Sequence, residues 1–258
     1  MKNHDTSMVL LKAFDTVCKR TMYSELTKKG IYLVRDRYLS NISLEIFVTS
    51  FFGRAMDTIY PTYFDIKVIK DPINIAYSSQ GLEIHQDLPY YKTLPELQIL
   101  HCVKQTELDD GLSMFVNLHN FATKFIHRFP EYKNQENIPF AQFEKIHFDR
   151  PKPVSLKLSK PYIELGKHSI EEVNWSPPFE KLELDVSLEK IQFRQRFREL
   201  LEQEPKLYFK LQEGDFVVFN NRIIGHGRTP IIQSDRHYRG CYISREDWLN
   251  AKATNMLQ

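Results

Sequence analysis

Short β-rich segments separated by turn residues fill residues 64–118, and they constrain the fold more than any other feature of the chain. Apolar and β-branched residues alternate or run together in "FDIKVIKD", "INIAYSS", "LEIHQ", "LQILHCVKQ" and "SMFVNLH", with Pro, Gly and Asp between these runs. Short strands that follow one another in this way are typical of an antiparallel sandwich or barrel. The sequence therefore predicts a mainly β fold.

Helical patterns flank this β-rich part. Apolar residues recur at helical spacing over 7–29, and "NISLEIFVTSFFGRAM" carries Asn41 as a candidate cap and Gly53 near its end. "LHNFATKFIHRFPEYKN" has the same spacing up to Pro130, and Ser187 precedes another such run, "SLEKIQFRQRFRELLEQEP". Polar caps and Gly or Pro breakers at these places predict helices that flank the β-structure.

The 258 residues are predicted to form one domain over 1–258, because a chain of this length can bury a sufficient core by itself. Residues 1–21 are expected to be an N-terminal helical extension. Residues 131–180 contain many prolines and few regular patterns. We therefore expect long connections and strand pieces there, in an irregular insert or lid region.

The charge balance argues against a polyanionic partner. The 35 basic and 33 acidic residues are scattered along the chain and leave a net charge of +2. A nucleic-acid surface would require a block of basic residues. We therefore expect no nucleic-acid partner.

The cysteines and the N-terminal sequence indicate the compartment. Cys18, Cys102 and Cys241 are widely spaced and form no CxxC pair, so neither a disulfide framework nor a zinc knuckle is indicated. The apolar patch near the N-terminus lies between charges and is too short for a signal peptide or a membrane span. These features predict a cytoplasmic protein without a membrane partner.

The stretch "GLEIHQDLPYY" places His85 and Asp87 two positions apart at the end of a predicted strand. Side chains at i and i+2 of a strand point to the same side, so both can reach one metal ion. A third ligand must come from a distant strand, and His226 stands out because Gly225 and Gly227 allow close approach of another backbone. Two histidines and one carboxylate on one face of Fe(II) leave positions open for a co-substrate and dioxygen.

Arg236 follows His226 in "SDRHYRGCY", where a fixed guanidinium can take a carboxylate in bidentate fashion. Each of these features also has an ordinary structural explanation. An isolated HxD motif occurs by chance, and His226 can be a core or surface histidine. The combination of all of them in one β-rich frame favours a metal site.

Two longer stretches carry a family resemblance: "IAYSSQGLEIHQDLPYYKTLPELQILHCVKQT" and "LQEGDFVVFNNRIIGHGRTP", the latter continued by "DRHYRGCYISREDW". They resemble the γ-butyrobetaine dioxygenase and trimethyllysine dioxygenase branch of the taurine-dioxygenase-like Fe(II)- and 2-oxoglutarate-dependent oxygenases. The resemblance implies a double-stranded β-helix, which is a cupin-like jelly-roll barrel flanked by helices. It also implies Fe(II) as the metal, 2-oxoglutarate and O2 as co-substrates, and ascorbate as a reductant.

The resemblance assigns roles to individual residues. His85, Asp87 and His226 match the iron ligands of the family, which form its catalytic centre. Arg236 matches the arginine that pairs with the far carboxylate of 2-oxoglutarate. Asn74, in "PINIAY", matches an asparagine that helps to hold the same co-substrate.

A substrate cage is implied as well. Family members that act on quaternary amines enclose the trimethylammonium group with aromatic faces, which attract a cation that has no hydrogen to donate. Tyr60, Phe64, Tyr77 and Tyr242 fall where that cage is expected, with Phe64 in place of the usual tryptophan. Most aromatic residues merely pack, so each of the four taken singly has an ordinary explanation.

The resemblance implies hydroxylation of an unactivated C–H bond in a small betaine-like or amino-acid-like substrate, with a γ-butyrobetaine-like quaternary amine favoured. Asp87 favours hydroxylation, because halogenating relatives replace this carboxylate with a small residue. Two alternatives stay open: an oxygenase of a specialised metabolite on the same scaffold, which hydroxylates, desaturates or cyclises, and a non-catalytic jelly-roll binding module. Relatives often form dimers, so a homodimer is a further expectation.

Overall fold

The computed structural model describes residues 16–35, 39, 41–69, 75–108, 110–147, 153–181, 185–232 and 236–256. Five α-helices lie within these ranges: α1 (Thr16–Lys29), α2 (Leu44–Phe52), α3 (Leu118–Arg128), α4 (Leu188–Gln203) and α5 (Arg245–Met256). None of the described helices combines the length and the apolar character needed to cross a bilayer.

Thirteen strands lie in the same ranges. They are β1 (Ile31–Val34), β2 (Phe64–Lys67), β3 (Leu82–His85), β4 (Leu97–Lys104), β5 (Ser113–Asn117), β6 (Phe140–His147), β7 (Val154–Pro161), β8 (Ile163–Leu165), β9 (Ile170–Val173), β10 (Leu207–Phe209), β11 (Phe216–Asn220), β12 (Ile224–Arg228) and β13 (His237–Ile243).

The strands form two main antiparallel sheets. One has the order β1-β11-β4-β13-β2, and the other has the order β10-β5-β12-β3. Strands from distant parts of the sequence alternate in both sheets, which is the arrangement of a jelly-roll barrel. The predicted fold class, mainly β with flanking helices, is confirmed.

Side-chain alternation along β11 explains how one strand serves two cores. Phe216 and Val218 pack with the helices α1, α2 and α5 on the outside of the barrel. Val217 and Phe219 belong to the core between the two sheets. Because successive residues point to opposite faces, an uninterrupted apolar run is required where both faces are covered.

The segment predicted as an irregular insert is more regular than expected. β6 and β7 pair over their whole length, from Phe140 opposite Pro161 to His147 opposite Val154. β7 alternates between half-buried and exposed residues in "VSLKLSKP", and its proline lies at the end of the strand, where it interrupts no hydrogen-bond ladder. The strand pieces expected in this segment are therefore present as a paired hairpin, and the lid stays a prediction.

The insert and two helices form one apolar cluster against the outer face of the four-stranded sheet. Its largest side chains are Phe121, Phe125, Tyr162, Trp175, Phe193 and Phe197, all of them buried. Aromatic side chains of this size contribute much of the buried area of a core. This cluster fixes the insert to the barrel on the side of β3.

Two sequence-based expectations differ in detail. The run "INIAYSS" was predicted as a strand, but its described part forms a 3-10 helix over Ile75–Tyr77. The carbonyls of that turn accept hydrogen bonds from the Arg228 side chain, which replaces a strand ladder. The cap of α2 is Ser43 rather than Asn41, because the Ser43 hydroxyl accepts a hydrogen bond from the Ile46 N–H at 3.3 Å.

Other expectations agree or lie partly outside the described ranges. Ser187 caps α4, since its hydroxyl accepts a hydrogen bond from the Lys190 N–H. Of the predicted N-terminal extension, residues 16–21 form the first part of α1, and residues 1–15 lie outside the described ranges. The boundaries proposed for the domain stay a prediction.

Candidate active site

Pairing of β3 with β12 brings the two predicted histidine ligands together. The strands are antiparallel, and His226 lies directly opposite His85. The ring centroids are 4.3 Å apart. A Cβ at Gly227 would lie 2.4 Å from the Leu82 carbonyl oxygen. The close approach inferred from the glycines beside His226 is therefore a property of this strand pair.

Asp87 completes the cluster. One ligand atom from each of His85, Asp87 and His226 lies within 4.8 Å of the others. The Nε2 of His85 lies 3.3 Å from Oδ1 of Asp87. The other ring nitrogen of His85, Nδ1, lies 2.8 Å from the Glu83 carbonyl oxygen. Because a carbonyl oxygen can only accept, Nδ1 carries the ring proton. The lone pair of Nε2 then faces the carboxylate and is available to a metal.

Further hydrogen bonds hold the Asp87 carboxylate and its backbone. The Tyr242 hydroxyl donates to Oδ2 at 2.8 Å. The Asn221 side chain accepts from the Asp87 N–H at 2.9 Å and donates to the Asp87 carbonyl at 3.0 Å. Burial raises the pKa of Asp87, but the neighbouring His85, His226 and Tyr242 outweigh burial and lower it below its usual value. Asp87 is therefore an ionised carboxylate held in place.

His226 is a neutral imidazole in this environment. Burial and, to a smaller extent, the neighbouring His85 lower its pKa to about 3, although Asp87 acts in the opposite direction. Within the described part of the chain, the buried Nδ1 of His226 has no hydrogen-bond partner. Two histidine side chains and one carboxylate form a donor set suited to Fe(II) or another divalent transition metal. The residues therefore fit the metal that the sequence implied.

The cluster opens into a cavity of about 90 Å³. All four residues of the predicted aromatic cage line it: Tyr60, Phe64, Tyr77 and Tyr242. The ring centroids of Phe64 and Tyr242 are 5.2 Å apart, and those of Tyr60 and Phe64 are 6.5 Å apart. Phe64 thus packs with both Tyr60 and Tyr242, and the Tyr242 hydroxyl lies next to Asp87.

Arg236 lines the same cavity and is buried. Its guanidinium lies 3.6 Å from the centroid of the Tyr238 ring. None of the ion pairs found in the described ranges includes Arg236, and its Nε has no hydrogen-bond partner there. A buried guanidinium without a carboxylate partner suits an anionic ligand. Asn74, the other residue predicted to hold the co-substrate, lies outside the described residues.

Sequence reasoning missed Arg228, which also lines the cavity. Its guanidinium donates to the carbonyls of Ala76 at 2.7 Å and Gln80 at 3.0 Å, and also to that of Ser78. Burial and, to a smaller extent, the nearby Arg236 lower the pKa of Arg228 to about 10. The signal for Arg228 is its spacing, since it follows His226 at i+2 on one strand and therefore points to the same side.

Three other residues of the cavity wall carry weaker sequence signals. Tyr90 lies three positions after Asp87 of the HxD motif, and its hydroxyl lies 3.1 Å from that of Tyr60. Gln98 points inward from β4, and its buried Oε1 has no hydrogen-bond partner within the described ranges. Phe179 comes from the insert, where "SPPFE" has no periodicity that would indicate a functional residue.

Comparisons with known proteins identify a family and agree with the fold. The model of the taurine catabolism dioxygenase TauD, TfdA family matches residues 10–242. Dioxygenase str8 of Strobilurus tenacellus is 30% identical over 209 residues, which cover 75% of this chain and 48% of that protein. The γ-butyrobetaine dioxygenase of Homo sapiens is 28% identical over 209 residues, which cover 76% and 53% of the two chains. This chain thus spans about half the length of the curated relatives that it matches.

A solved structure shares the fold. PvcB of Pseudomonas aeruginosa, described as an Fe, alpha-ketoglutarate dependent oxygenase from an isonitrile synthetic pathway, matches with a TM-score of 0.60. The match covers 88% of this chain and 80% of that chain at 17% sequence identity. At this identity the likeness concerns the barrel and its strand order.

Proposed function

Because the chain belongs to the taurine catabolism dioxygenase TauD, TfdA family, we propose that it is an Fe(II)- and 2-oxoglutarate-dependent dioxygenase. The observation that carries the proposal is the convergence of His85, Asp87 and His226 on one point at the mouth of a cavity. A relative of the same fold is described as an Fe, alpha-ketoglutarate dependent oxygenase, which supports the choice of metal and co-substrate.

The three clustered side chains would hold the metal on one face. Bound Fe(II) supplies the activation of dioxygen, which oxidises 2-oxoglutarate to succinate and carbon dioxide and a substrate C–H bond to an alcohol. The chain contributes position and charge. The Tyr242 hydroxyl holds one oxygen of Asp87 at 2.8 Å, and the His85 Nδ1 bond to the Glu83 carbonyl fixes the tautomer that presents Nε2.

Arg236 is proposed to bind the far carboxylate of 2-oxoglutarate through a charge-assisted pair. The support is its burial on the wall of the cavity together with the lack of a carboxylate partner in the described ranges. Arg228 adds a second positive charge beside it. Because the two terminal nitrogens of Arg228 donate to carbonyls of residues 75–80, we assign it to holding that wall rather than to binding the co-substrate.

The substrate is proposed to be a small betaine-like molecule. Among the described residues that line the cavity, Asp87 is the single acid, whereas the aromatic rings form much of the wall. A primary ammonium group would find no further carboxylate to pair with. A trimethylammonium group needs none, because it interacts with aromatic faces. The similarity to γ-butyrobetaine dioxygenase of Homo sapiens points to the same class.

An amino-acid-like substrate, or a specialised metabolite with an N–H or O–H donor, is the second candidate. The buried Oε1 of Gln98 has no partner in the described ranges and faces the cavity, so a donor on the substrate would satisfy it. Phe64 in place of tryptophan is consistent with this candidate, because phenylalanine gives a weaker cation–π interaction than tryptophan.

Paired substrates distinguish the two candidates. The protein is incubated with Fe(II), ascorbate and 2-oxoglutarate in air, and NMR follows succinate and each substrate. The pairs are γ-butyrobetaine with γ-aminobutyrate, and trimethyllysine with lysine. We expect succinate and substrate loss with a quaternary member and much less with its amine. Turnover of the amines alone would contradict the betaine proposal and favour the second candidate.

A further inference from the structure

The ring of Phe179 separates two cavities. The inner one is the cavity of about 90 Å³ next to the histidines, and the outer one has a volume of about 440 Å³. Apart from Phe179, the outer cavity is lined by Ile75, Glu144, Lys145, Pro178, Glu180 and Lys181. Among the described residues, Phe179 alone lines both cavities. Its side chain is therefore the partition between them.

On the inner side, the ring lies against residues of the site. Its centroid is 5.9 Å from that of His85 in an edge-on contact and 6.2 Å from that of Tyr90 at an interplanar angle of 88°. Edge-to-face packing at such distances is the favoured geometry for aromatic rings. A substrate in the inner cavity would contact the ring of Phe179 on the side that faces the outer cavity.

Gln86 anchors the chain on one side of Phe179. It stands between the two residues of the HxD motif, so its side chain points away from the site, and it is fully buried. Its N–H donates to the Trp175 carbonyl at 3.0 Å, and its Oε1 accepts from the Trp175 N–H at 3.0 Å. The Ser176 hydroxyl donates to the Gln86 carbonyl at 2.7 Å.

The same glutamine also binds the turn before β12. Its Nε2 donates to the carbonyls of Asn221 at 3.1 Å and Arg222 at 3.0 Å. That turn leads into the strand that carries His226. Gln86 thus connects the HxD motif, the β11–β12 turn and the segment before Phe179. Its buried side-chain amide has hydrogen-bond partners for both its oxygen and its nitrogen.

A second anchor follows Phe179. The Glu180 side chain is 2% exposed; it accepts a hydrogen bond from the Tyr162 hydroxyl and lies 3.2 Å from Arg194. The next residue, Lys181, donates its N–H to the Gln142 carbonyl at 2.7 Å. With anchors on both sides, the backbone of Phe179 has little freedom to move the ring away.

We infer that residues 173–181 form a fixed wall of the site and that Phe179 on this wall is a specificity-determining residue that limits substrate length. The inference rests on the proposed function, because it takes the inner cavity as the substrate site. Replacing the ring by a methyl group joins the two cavities. The joined space then admits substrates that extend past the position of the ring.

Chain length is the variable that tests this wall. Trimethylammonium carboxylates of increasing chain length are titrated by calorimetry into protein loaded with Ni(II) and 2-oxoglutarate. In Phe179→Ala we expect affinity for the longest members to rise about tenfold relative to the shortest, since each methylene accommodated is worth a factor of this order. Phe140→Ala is the matched control, because Phe140 lies on the same insert and is 54% exposed.

If affinity depends on substrate chain length in the same way for wild type and Phe179→Ala, the assignment of Phe179 is overturned. An equal change in Phe140→Ala would overturn it as well, because the effect would then not come from the partition.

Amide exchange tests the wall without a substrate or a metal. Gln86→Leu removes the acceptor of the Trp175 N–H, and Ser176→Ala is a milder variant that removes one hydroxyl bond. We expect faster exchange at the backbone amides of residues 174–176 and 179 in both, with unchanged exchange in the distant helix α5; Pro177 and Pro178 have no N–H to exchange. Unchanged exchange at these amides would overturn the wall. If no member of the series binds to either protein, the proposed substrate class fails, and the exchange result still decides whether the wall is fixed.

Discussion

At the scale of single residues, Tyr242 has two separable roles. The sequence identified it only as a cage residue, and its ring does face Phe64. Its hydroxyl also donates to the carboxylate of Asp87, which no sequence pattern indicates, because β13 and the HxD motif are far apart in the chain. A ring that contacts the substrate and a hydroxyl that orients a metal ligand can be tested by different substitutions.

Tyr242→Phe keeps the ring and removes the hydroxyl. We expect metal affinity to fall by about tenfold or more, since loss of a hydrogen bond to a ligand has effects of this size. Calorimetric titration of the metal-free protein with Ni(II) measures it. Tyr60→Phe is the control, because the Tyr60 hydroxyl pairs with that of Tyr90 rather than with a ligand. Equal weakening in both variants would contradict the role of the Tyr242 hydroxyl.

Arg236→Gln removes the charge proposed to bind 2-oxoglutarate. We expect KM for 2-oxoglutarate to rise about 10- to 100-fold, which corresponds to a charge-assisted bond of roughly 1.5–3 kcal/mol, with little change in metal affinity. Arg54→Gln is the control, because Arg54 is an exposed arginine paired with Asp247. A KM that stays at the wild-type value would remove Arg236 from the co-substrate site.

At the scale of elements, the pairing of β12 with β3 positions the site. The pair is held close because Gly227 leaves room for the Leu82 carbonyl. Gly225, two positions earlier on the same strand, leaves room for a side chain, since a Cβ there would lie 2.6 Å from a methyl carbon of Ile84. The glycines around His226 therefore set the distance between the two strands that carry the histidines.

Gly227→Ala should separate these strands, because the added methyl group would meet backbone at 2.4 Å and backbone cannot give way cheaply. We expect loss of metal binding together with a lower Tm. Gly166→Ala serves as the control, since the added methyl group there meets only the flexible Glu171 side chain. Wild-type metal affinity in Gly227→Ala would show that the strand spacing does not set the site.

How much could be predicted also differs from element to element. Alternating or continuous runs of apolar residues predicted β3, β4 and β5. In β4 the first six residues are all buried, because both faces of this strand are covered. A similar apolar run wrongly predicted a strand at Ile75–Tyr77. The carbonyls there accept hydrogen bonds from Arg228, which comes from a strand distant in sequence. Phe179 had no signal, because its place depends on a partner, Gln86, that lies far away in sequence. Local patterns predict elements, whereas long-range hydrogen bonds have to be observed.

At the scale of the whole molecule, buried histidines make folding depend on pH. The ring of His101 stacks on Phe216 at 4.1 Å in the five-stranded sheet, and burial lowers its pKa to about 4. The unfolded chain, with a histidine pKa near 6.5, takes up a proton that the native chain excludes. The stability contributed by neutral His101 is therefore complete above pH 6.5 and is lost as pH falls towards 4.

His101→Phe keeps the stacked ring and cannot be protonated. We expect its free energy of unfolding to fall less than that of wild type between pH 6.5 and 4, as measured by urea denaturation at several pH values. His168→Phe, at an exposed position, should follow the wild-type profile. A parallel decline of His101→Phe and wild type would contradict the burial argument.

The central claim is that His85, Asp87 and His226 form an iron site that consumes 2-oxoglutarate. The most direct measurement is succinate formation, followed by NMR in air with Fe(II), ascorbate, 2-oxoglutarate and γ-butyrobetaine, for wild type, His85→Ala and Asp87→Ala. We expect succinate from wild type and none above the metal-only background from either variant. Equal succinate from wild type and the variants would contradict the account. So would the absence of succinate from wild type with γ-butyrobetaine and with each of the other paired substrates, γ-aminobutyrate, trimethyllysine and lysine.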